Sequence, residues 1–397
     1  KDIVLMFGFC SIMIASFHQS WFKEWLKNKL VLVIVLYAAL TLLLALVRPT
    51  DTDAEVLGVT YNLRFLIFFL YAWLLVKTFP KRNILQSSVL ISLVAGTAVA
   101  LFGVVQYVLL PNDALTHLGF VRSNGVLPAF FIDDKPDLER VMSTLRDPNS
   151  LGSYLIIVMS LALAWRQKSA KRAKLIWSGV ILMTGLCLLL TFSRSALLGL
   201  VLALACAAAI VGRSHVKLSP KQVRIGVVVL AVATIGFLAS AFALRNSYFA
   251  QNVIFHADQS TSLEDPNQLR VRFLRESVVK IAHNPIGLGP GRAGLASIRN
   301  NVQGTQLNEN YYLQVATEVG VLGLAFFLAI LILVAVRLYR ATGDSVYATA
   351  LLAAFAGLAL TNILVHIWSN EAVAYTWWGL AGLVMTTRTK SKIATNR

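Results

Sequence analysis

The sequence predicts an all-α polytopic membrane protein, and three observations predict it. Of its 397 residues, 57% are hydrophobic and only 14% are charged, against roughly 25% charged in soluble domains. Apolar runs of about 17–25 residues recur along the whole length, as a hydrocarbon core of about 30 Å requires of a helix. Clusters of Lys and Arg fall in every second loop between these runs, the pattern of loops held on the cytoplasmic side. No stretch of soluble composition is appended, so residues 1–397 are expected to form a single integral membrane domain.

The runs place about eleven spans, near residues 3–18, 30–47, 58–78, 84–110, 151–166, 175–192, 195–212, 225–244, 311–336, 346–366 and 372–387. The chain opens without a methionine, which leaves room for a further N-terminal span, and the expected total is therefore about eleven to twelve. The opening KDIVLMFG lacks the small-residue cleavage site of a signal peptide. The stretch from Leu175 to Val211 is too long for one span, so Ser193-Arg194-Ser195 must be a tight hairpin. With the basic clusters inside, two long loops lie outside, 111–147 and 245–310. The clusters, such as Lys23/Lys27/Lys29 and Arg166 to Lys174, account for most of the net charge of +17. No nucleic-acid partner is therefore expected. Cys10, Cys187 and Cys206 all fall inside apolar runs, so no disulfide framework is implied.

Several polar residues have no part in orienting the chain. Asp147 followed by Pro148 reads as an N-cap and first helical position, which puts Arg146 beside the positive end of a helix. That is a good phosphate or pyrophosphate site, or else a plain capped helix whose arginine is held by Asp147 or lipid headgroups. Arg194, at a hairpin between apolar helices, either faces a cavity or snorkels to the headgroups. Arg64 lies nearer the end of its span, where snorkelling is the expected behaviour. The segment after Asp265-Pro266 repeats apolar residues near helical spacing, with Arg272, Arg275 and Glu276 on another face. It reads as an amphipathic helix on the membrane surface, there for lipid binding or for bringing Arg270 and its neighbours to an anionic lipid-linked substrate. Asn284 to Gly291 (NPIGLGPG) follows no strand, so it is a tight turn that lets backbone pass close to something rather than a nucleotide loop. Glu309, at the mouth of a span behind a loop of arginines, is a helix-start residue, a salt-bridge partner or a general base. His117, His256, His283 and His366 read as surface or packing histidines. Asp133, Asp134 and Asp137 read as a solvated polar loop in preference to a metal site.

Taken in order, Gln106 in GVVQY, RDPNSLGSYL, TFSRSALLGL, Arg270 ahead of NPIGLGPG, and ENYYLQVATEVGVLG form a pattern across about residues 100–325. The pattern resembles the O-antigen ligase and O-antigen polymerase superfamily of bacterial membrane glycosyltransferases. In the ligases the last motif begins with His followed by Asn, Ser or Gln, and Asn310, Gly320 and Gly323 match it in register. Glu309 stands where the ligases have their catalytic His, a departure that bears on the ligase branch more than on the wider family. The resemblance implies a GT-C-type helical enzyme of the bacterial cytoplasmic membrane, with its active site on the outer side. It implies a glycan donor on undecaprenyl pyrophosphate, a glycan or glycolipid acceptor, and no cofactor or metal. Arg146, Arg194 and Arg270 match the family's motif arginines, expected to hold the pyrophosphate, with Arg64, Arg272, Arg275 and Asn310 in support. Glu309 would deprotonate the acceptor hydroxyl. A transporter or flippase of lipid-linked glycans is the alternative. It would be expected to show paired halves with interrupted spans, and no such symmetry is visible in the sequence.

Overall fold

The computed structural model describes residues 2–80, 83–121, 126–132, 135–215, 266–301 and 308–385. The chain is a multi-pass bundle of helices: α1 (Asp2–Phe17), the short α2 (Phe22–Leu26), α3 (Lys29–Val47), α4 (Thr52–Thr78), α5 (Ile84–Leu109), α6 (Pro148–Lys168), α7 (Lys171–Leu190), α8 (Arg194–His215), α9 (Pro266–His283), α10 (Tyr311–Ala341), α11 (Val346–Leu364) and α12 (Glu371–Val384). Among the described residues, eight helices are long and apolar enough to cross a membrane, namely α3 to α8, α10 and α11. α1 and α12 have the expected positions but only 16 and 14 residues. The span expected at 225–244 lies outside the described residues.

The expected loop 111–147 contains something the sequence reading did not anticipate. Strands β1 (Phe130–Ile132) and β2 (Lys135–Arg140) pair antiparallel, with Phe130 opposite Arg140 and Phe131 opposite Glu139. Gln106, near the end of α5, fastens this hairpin. Its Nε2 donates to Glu139 Oε1 at 2.9 Å, and its Oε1 accepts from the Ser143 backbone N–H at 2.8 Å. Ser143 has φ of 53°, a left-handed conformation rare for a residue with a Cβ. One buried amide therefore sets the path of the chain from Glu139 to Arg146.

α6 is the centre of the bundle: 83% of its apolar window is buried, against 17% for α7. It packs against α5, α7, α8 and α11, while α12 packs on α4 and α10 on α3. The aromatic core lies between α4, α10 and α12. Phe65, Trp368, Trp377 and Trp378 are fully buried there with ring centroids 5.0–6.5 Å apart, the spacing of favourable aromatic pairs.

α10 is kinked at Gly320, whose φ of 81° and ψ of 178° are non-helical. The kink frees the carbonyls of Thr317 and Glu318 from their intrahelical partners. Leu288 and Gly289 supply the missing N–H groups at 2.8 and 2.9 Å, and Val321 N–H turns to the Pro285 carbonyl at 2.9 Å. The glycine-rich turn is thus a clasp: the segment from Pro285 to Gly289 takes over the hydrogen bonds that the kinked helix gives up. A Cβ on Gly320 would overlap the Ile286 carbonyl, which is why glycine is required at this motif position.

Candidate active site

The starts of α6, α8, α10 and α12 lie at one end of the bundle, and the candidate residues gather there. Asp147 caps α6 as the sequence implied, with its carboxylate accepting from Ser150 N–H at 2.9 Å and Ser150 Oγ at 2.6 Å. Asn149, one residue inside the helix, joins three segments through a single oxygen. Its Oδ1 accepts from Arg140 Nη2 at 3.1 Å and from Ser193 Oγ at 2.9 Å. Arg140 Nε also donates to the Thr191 carbonyl at 3.1 Å. The β-hairpin, the start of α6 and the 191–193 turn are therefore one hydrogen-bonded unit.

The tight hairpin expected around Ser193 is present between α7 and α8. Phe192 has φ of 48° there, and Ser193 Oγ lies 3.2 Å from Ser195 Oγ. Arg194 is the first residue of α8 and is half-buried. Asn310, not Glu309, caps α10: its Oδ1 accepts from Leu313 N–H at 3.0 Å. Glu309 is thereby left out of the capping role.

A cavity of about 230 Å³ opens at this end, lined by Arg140, Arg146, Asp147, Asn149, Glu309 and His366 among others. Arg146 and Glu309, distant in sequence, thus face one space. Arg140 and His366 join them. A second cavity of about 800 Å³ adjoins it and shares Arg146, Leu295, Ser369 and Asn370. Arg64, Tyr61, Tyr154, Arg299 and Glu371 line this larger space.

His366, expected as a surface or packing histidine, lines the cavity. It sits in the connection from α11 to α12, partly open to the cavity, with Nδ1 3.1 Å from the Asn308 carbonyl oxygen. Burial lowers its pKa from the usual histidine value, and the Arg146 charge lowers it further, against the opposing pull of Asp147 and Glu309. Glu139, behind Arg140, shifts the other way. Its burial raises the carboxyl above the ordinary range despite the Gln106 hydrogen bond.

Arg64 corrects the snorkelling expectation. It is buried, pairs with the Glu371 carboxylate, and donates through Nη2 to the Ser369 carbonyl at 2.6 Å. Its guanidinium also lies 4.7 Å from the Tyr61 ring centroid, a cation–π contact. Glu371, at the first position of α12, is the partner that draws it inward. Arg270 lies on α9, but its side chain is outside the described residues. Arg272 and Arg275 are exposed on the same helix, with Arg272 Nε 3.8 Å from Glu276. His117 and His283 are exposed, as expected. His256, Asp133, Asp134 and the side chain of Asp137 lie outside the described residues.

A family model described as O-antigen ligase matches residues 178–328. Over that stretch the chain is similar to the O-antigen ligases, which supports a place in the O-antigen ligase/polymerase superfamily. The matched residues run from α7 through the Arg194 hairpin, the glycine clasp and Glu309 to the kink of α10. They stop short of Arg140, Arg146 and His366 on either side, which the fold brings back to the same cavity. The match supports an O-antigen ligase/polymerase-type function, with lipid-linked glycan and acceptor partners in general. No curated protein matches the chain.

Of the cavity residues, sequence reasoning missed Arg140 and did not place His366 beside Glu309. Arg140 ends a strand that carried no apolar alternation to mark it. His366 is separated from Glu309 by all of α10 and α11, so no local spacing links them.

Proposed function

We propose that the chain transfers a glycan from undecaprenyl pyrophosphate to an acceptor sugar hydroxyl at the outer face of the cytoplasmic membrane, with Glu309 as general base. The observation that carries this reading is the shared cavity of Glu309 and Arg146. The reaction needs a base for the acceptor proton and fixed positive charge for the leaving group, a short distance apart. Arg146 and Arg140, which line the same cavity, supply charge of the right sign for a pyrophosphate oxygen. We assign Arg194 and Arg270 the same role from the motif positions they match, and guanidinium groups in that role make the transfer metal-independent. Glu309 takes the hydroxyl proton, the acceptor oxygen attacks the anomeric carbon from the face opposite the pyrophosphate, and the configuration inverts. The adjoining cavity of about 800 Å³ is of a size to hold glycan units beyond the reacting sugar.

The reading is tested by extracting lipids from cells lacking the gene and supplying them to purified protein. Wild-type protein is expected to convert the accumulated lipid-linked glycan, and Glu309→Gln to bind it without converting it. Transfer retained by Glu309→Gln overturns the base assignment. Movement of lipid-linked glycan across vesicles without any transfer makes the protein a transporter. The surface glycans of the deletion strain give the branch: single units retained without chain growth indicate a polymerase, and full-length glycan stranded on its carrier indicates a ligase.

A further inference from the structure

We propose that His366 is the proton-relay partner of Glu309, receiving at Nε2 the proton that Glu309 takes from the acceptor hydroxyl. The proposal rests on the reading of Glu309 as the base. It arises from a tautomer that the geometry fixes. The atom facing His366 Nδ1 at 3.1 Å is a backbone carbonyl oxygen, that of Asn308. A carbonyl only accepts, so Nδ1 carries the hydrogen. In the neutral ring Nε2 is then the lone-pair nitrogen, the one that can take up a proton. The hydrogen bond also ties the ring to the residue next to Glu309, so ring and carboxylate are positioned by the same short segment.

The surroundings suit this role. Glu309 from the start of α10 and Asp147 from the cap of α6 favour an imidazolium, while Arg146 opposes it. Arg140 from β2 lines the same cavity, and Glu371 in the adjoining one is engaged by Arg64. Burial keeps the resting ring neutral at pH 7, ready to accept. In the full step the acceptor oxygen bonds to the anomeric carbon as the bond from that carbon to the pyrophosphate oxygen breaks. The electron pair leaves with the pyrophosphate. The hydroxyl proton passes to Glu309 and on to His366 Nε2, which releases it to solvent once product has left. A histidine brought in from the α11–α12 connection thus stands in the space of a motif whose first residue is a glutamate.

The discriminating variant is His366→Asn, because its side-chain N–H can still reach the Asn308 carbonyl while no titratable nitrogen remains. With the lipid extract of gene-deleted cells as substrate, kcat is expected to fall about a hundredfold, within the range of general acid–base contributions. Binding of undecaprenyl pyrophosphate is expected to stay as in wild type. The pH–rate profile of the wild type is expected to fall on its acid side where His366 protonates, at a pH below the ordinary histidine value because burial lowers its pKa, and His366→Asn is expected to lose that limb. Unchanged kcat, or a lower kcat with the same acid limb, overturns the relay and leaves Glu309 as base. Activity retained by Glu309→Gln but lost in His366→Asn overturns the relay and the base assignment together. Should His366→Asn fail to fold, His366→Gln is read by the same profile, and a retained acid limb overturns the proposal.

Discussion

Asn62 on α4 donates its side-chain amide to the Glu318 carboxylate of α10 at 2.7 Å, in a place where both residues are fully buried. The other Glu318 oxygen accepts from the backbone N–H groups of Gly291 and Ala293 at 2.9 and 3.2 Å. Asn62 is itself held by Tyr37 Oη at 2.9 Å and donates to the Gly58 carbonyl. One carboxylate thus joins α3, α4, the glycine clasp and the kink of α10. Glu318→Ala leaves three buried donors without an acceptor, at about 1–3 kcal/mol each. Loss of monodisperse protein in detergent is the expected outcome. A Glu318→Ala protein that folds with wild-type thermal stability would show that the clasp is held by other contacts.

Gly320 and Gly323 both belong to the motif that resembles that of the O-antigen ligases, yet their physical roles differ. At Gly320 φ is 81° and an added Cβ meets the Ile286 backbone, which cannot yield without opening the clasp. At Gly323 the added Cβ meets mainly the Val319 side chain. Gly320→Ala is expected to destabilise by several kcal/mol, from backbone strain of about 1–3 kcal/mol at a φ/ψ open essentially to glycine alone plus the backbone overlap. Gly323→Ala is expected to cost about 1–3 kcal/mol as simple overpacking. Thermal unfolding of the two variants side by side checks the order; equal losses would contradict it.

These two glycines also mark the limit of what the sequence discloses. The apolar runs gave most helices to within a few residues, because each span must satisfy its own backbone and therefore announces itself in composition. The cap at Asp147 and the hairpin at Ser193 were legible for the same local reason. What closes the site was not. The NPIGLGPG turn could be read as tight, but its partner is a kink more than thirty positions away. Arg64 looked like a snorkelling residue because nothing near it in sequence predicts Glu371. His366 entered the cavity only through tertiary packing, and long-range pairing of single polar residues leaves no periodic trace.

Glu139 offers a test through pH. Its carboxyl is raised by burial, so the protonated form is favoured in the fold. The corresponding stability is fully present below the unfolded value of about 4.3 and is lost as pH rises through the raised folded value. At neutral pH the wild type therefore carries the cost of a buried carboxylate. Glu139→Gln removes that charge and keeps an oxygen to accept from Gln106. A melting temperature a few degrees higher than wild type is expected at pH 7, with the gap closing as pH falls toward 4. A gap that does not vary with pH would mean that Glu139 is not the group responsible.

Arg194 stands at the first position of α8, directly after the turn that Ser193 fastens to Asn149, the same amide that holds Arg140. The hairpin arginine and the cavity arginine are thus positioned by one oxygen. If both belong to a single pyrophosphate-binding surface, removing either guanidinium should weaken donor binding. Arg194→Ala is expected to raise the Kd for undecaprenyl pyrophosphate about tenfold to a hundredfold, the loss of one charge-assisted hydrogen bond at about 1.5–3 kcal/mol. Asn149→Ala, which frees Arg140 and Ser193 without removing any charge, should give a smaller loss in the same direction. An Arg194→Ala protein with unchanged affinity would mean that Arg194 only anchors the hairpin, and donor charge would then have to be met at the cavity by Arg140 and Arg146.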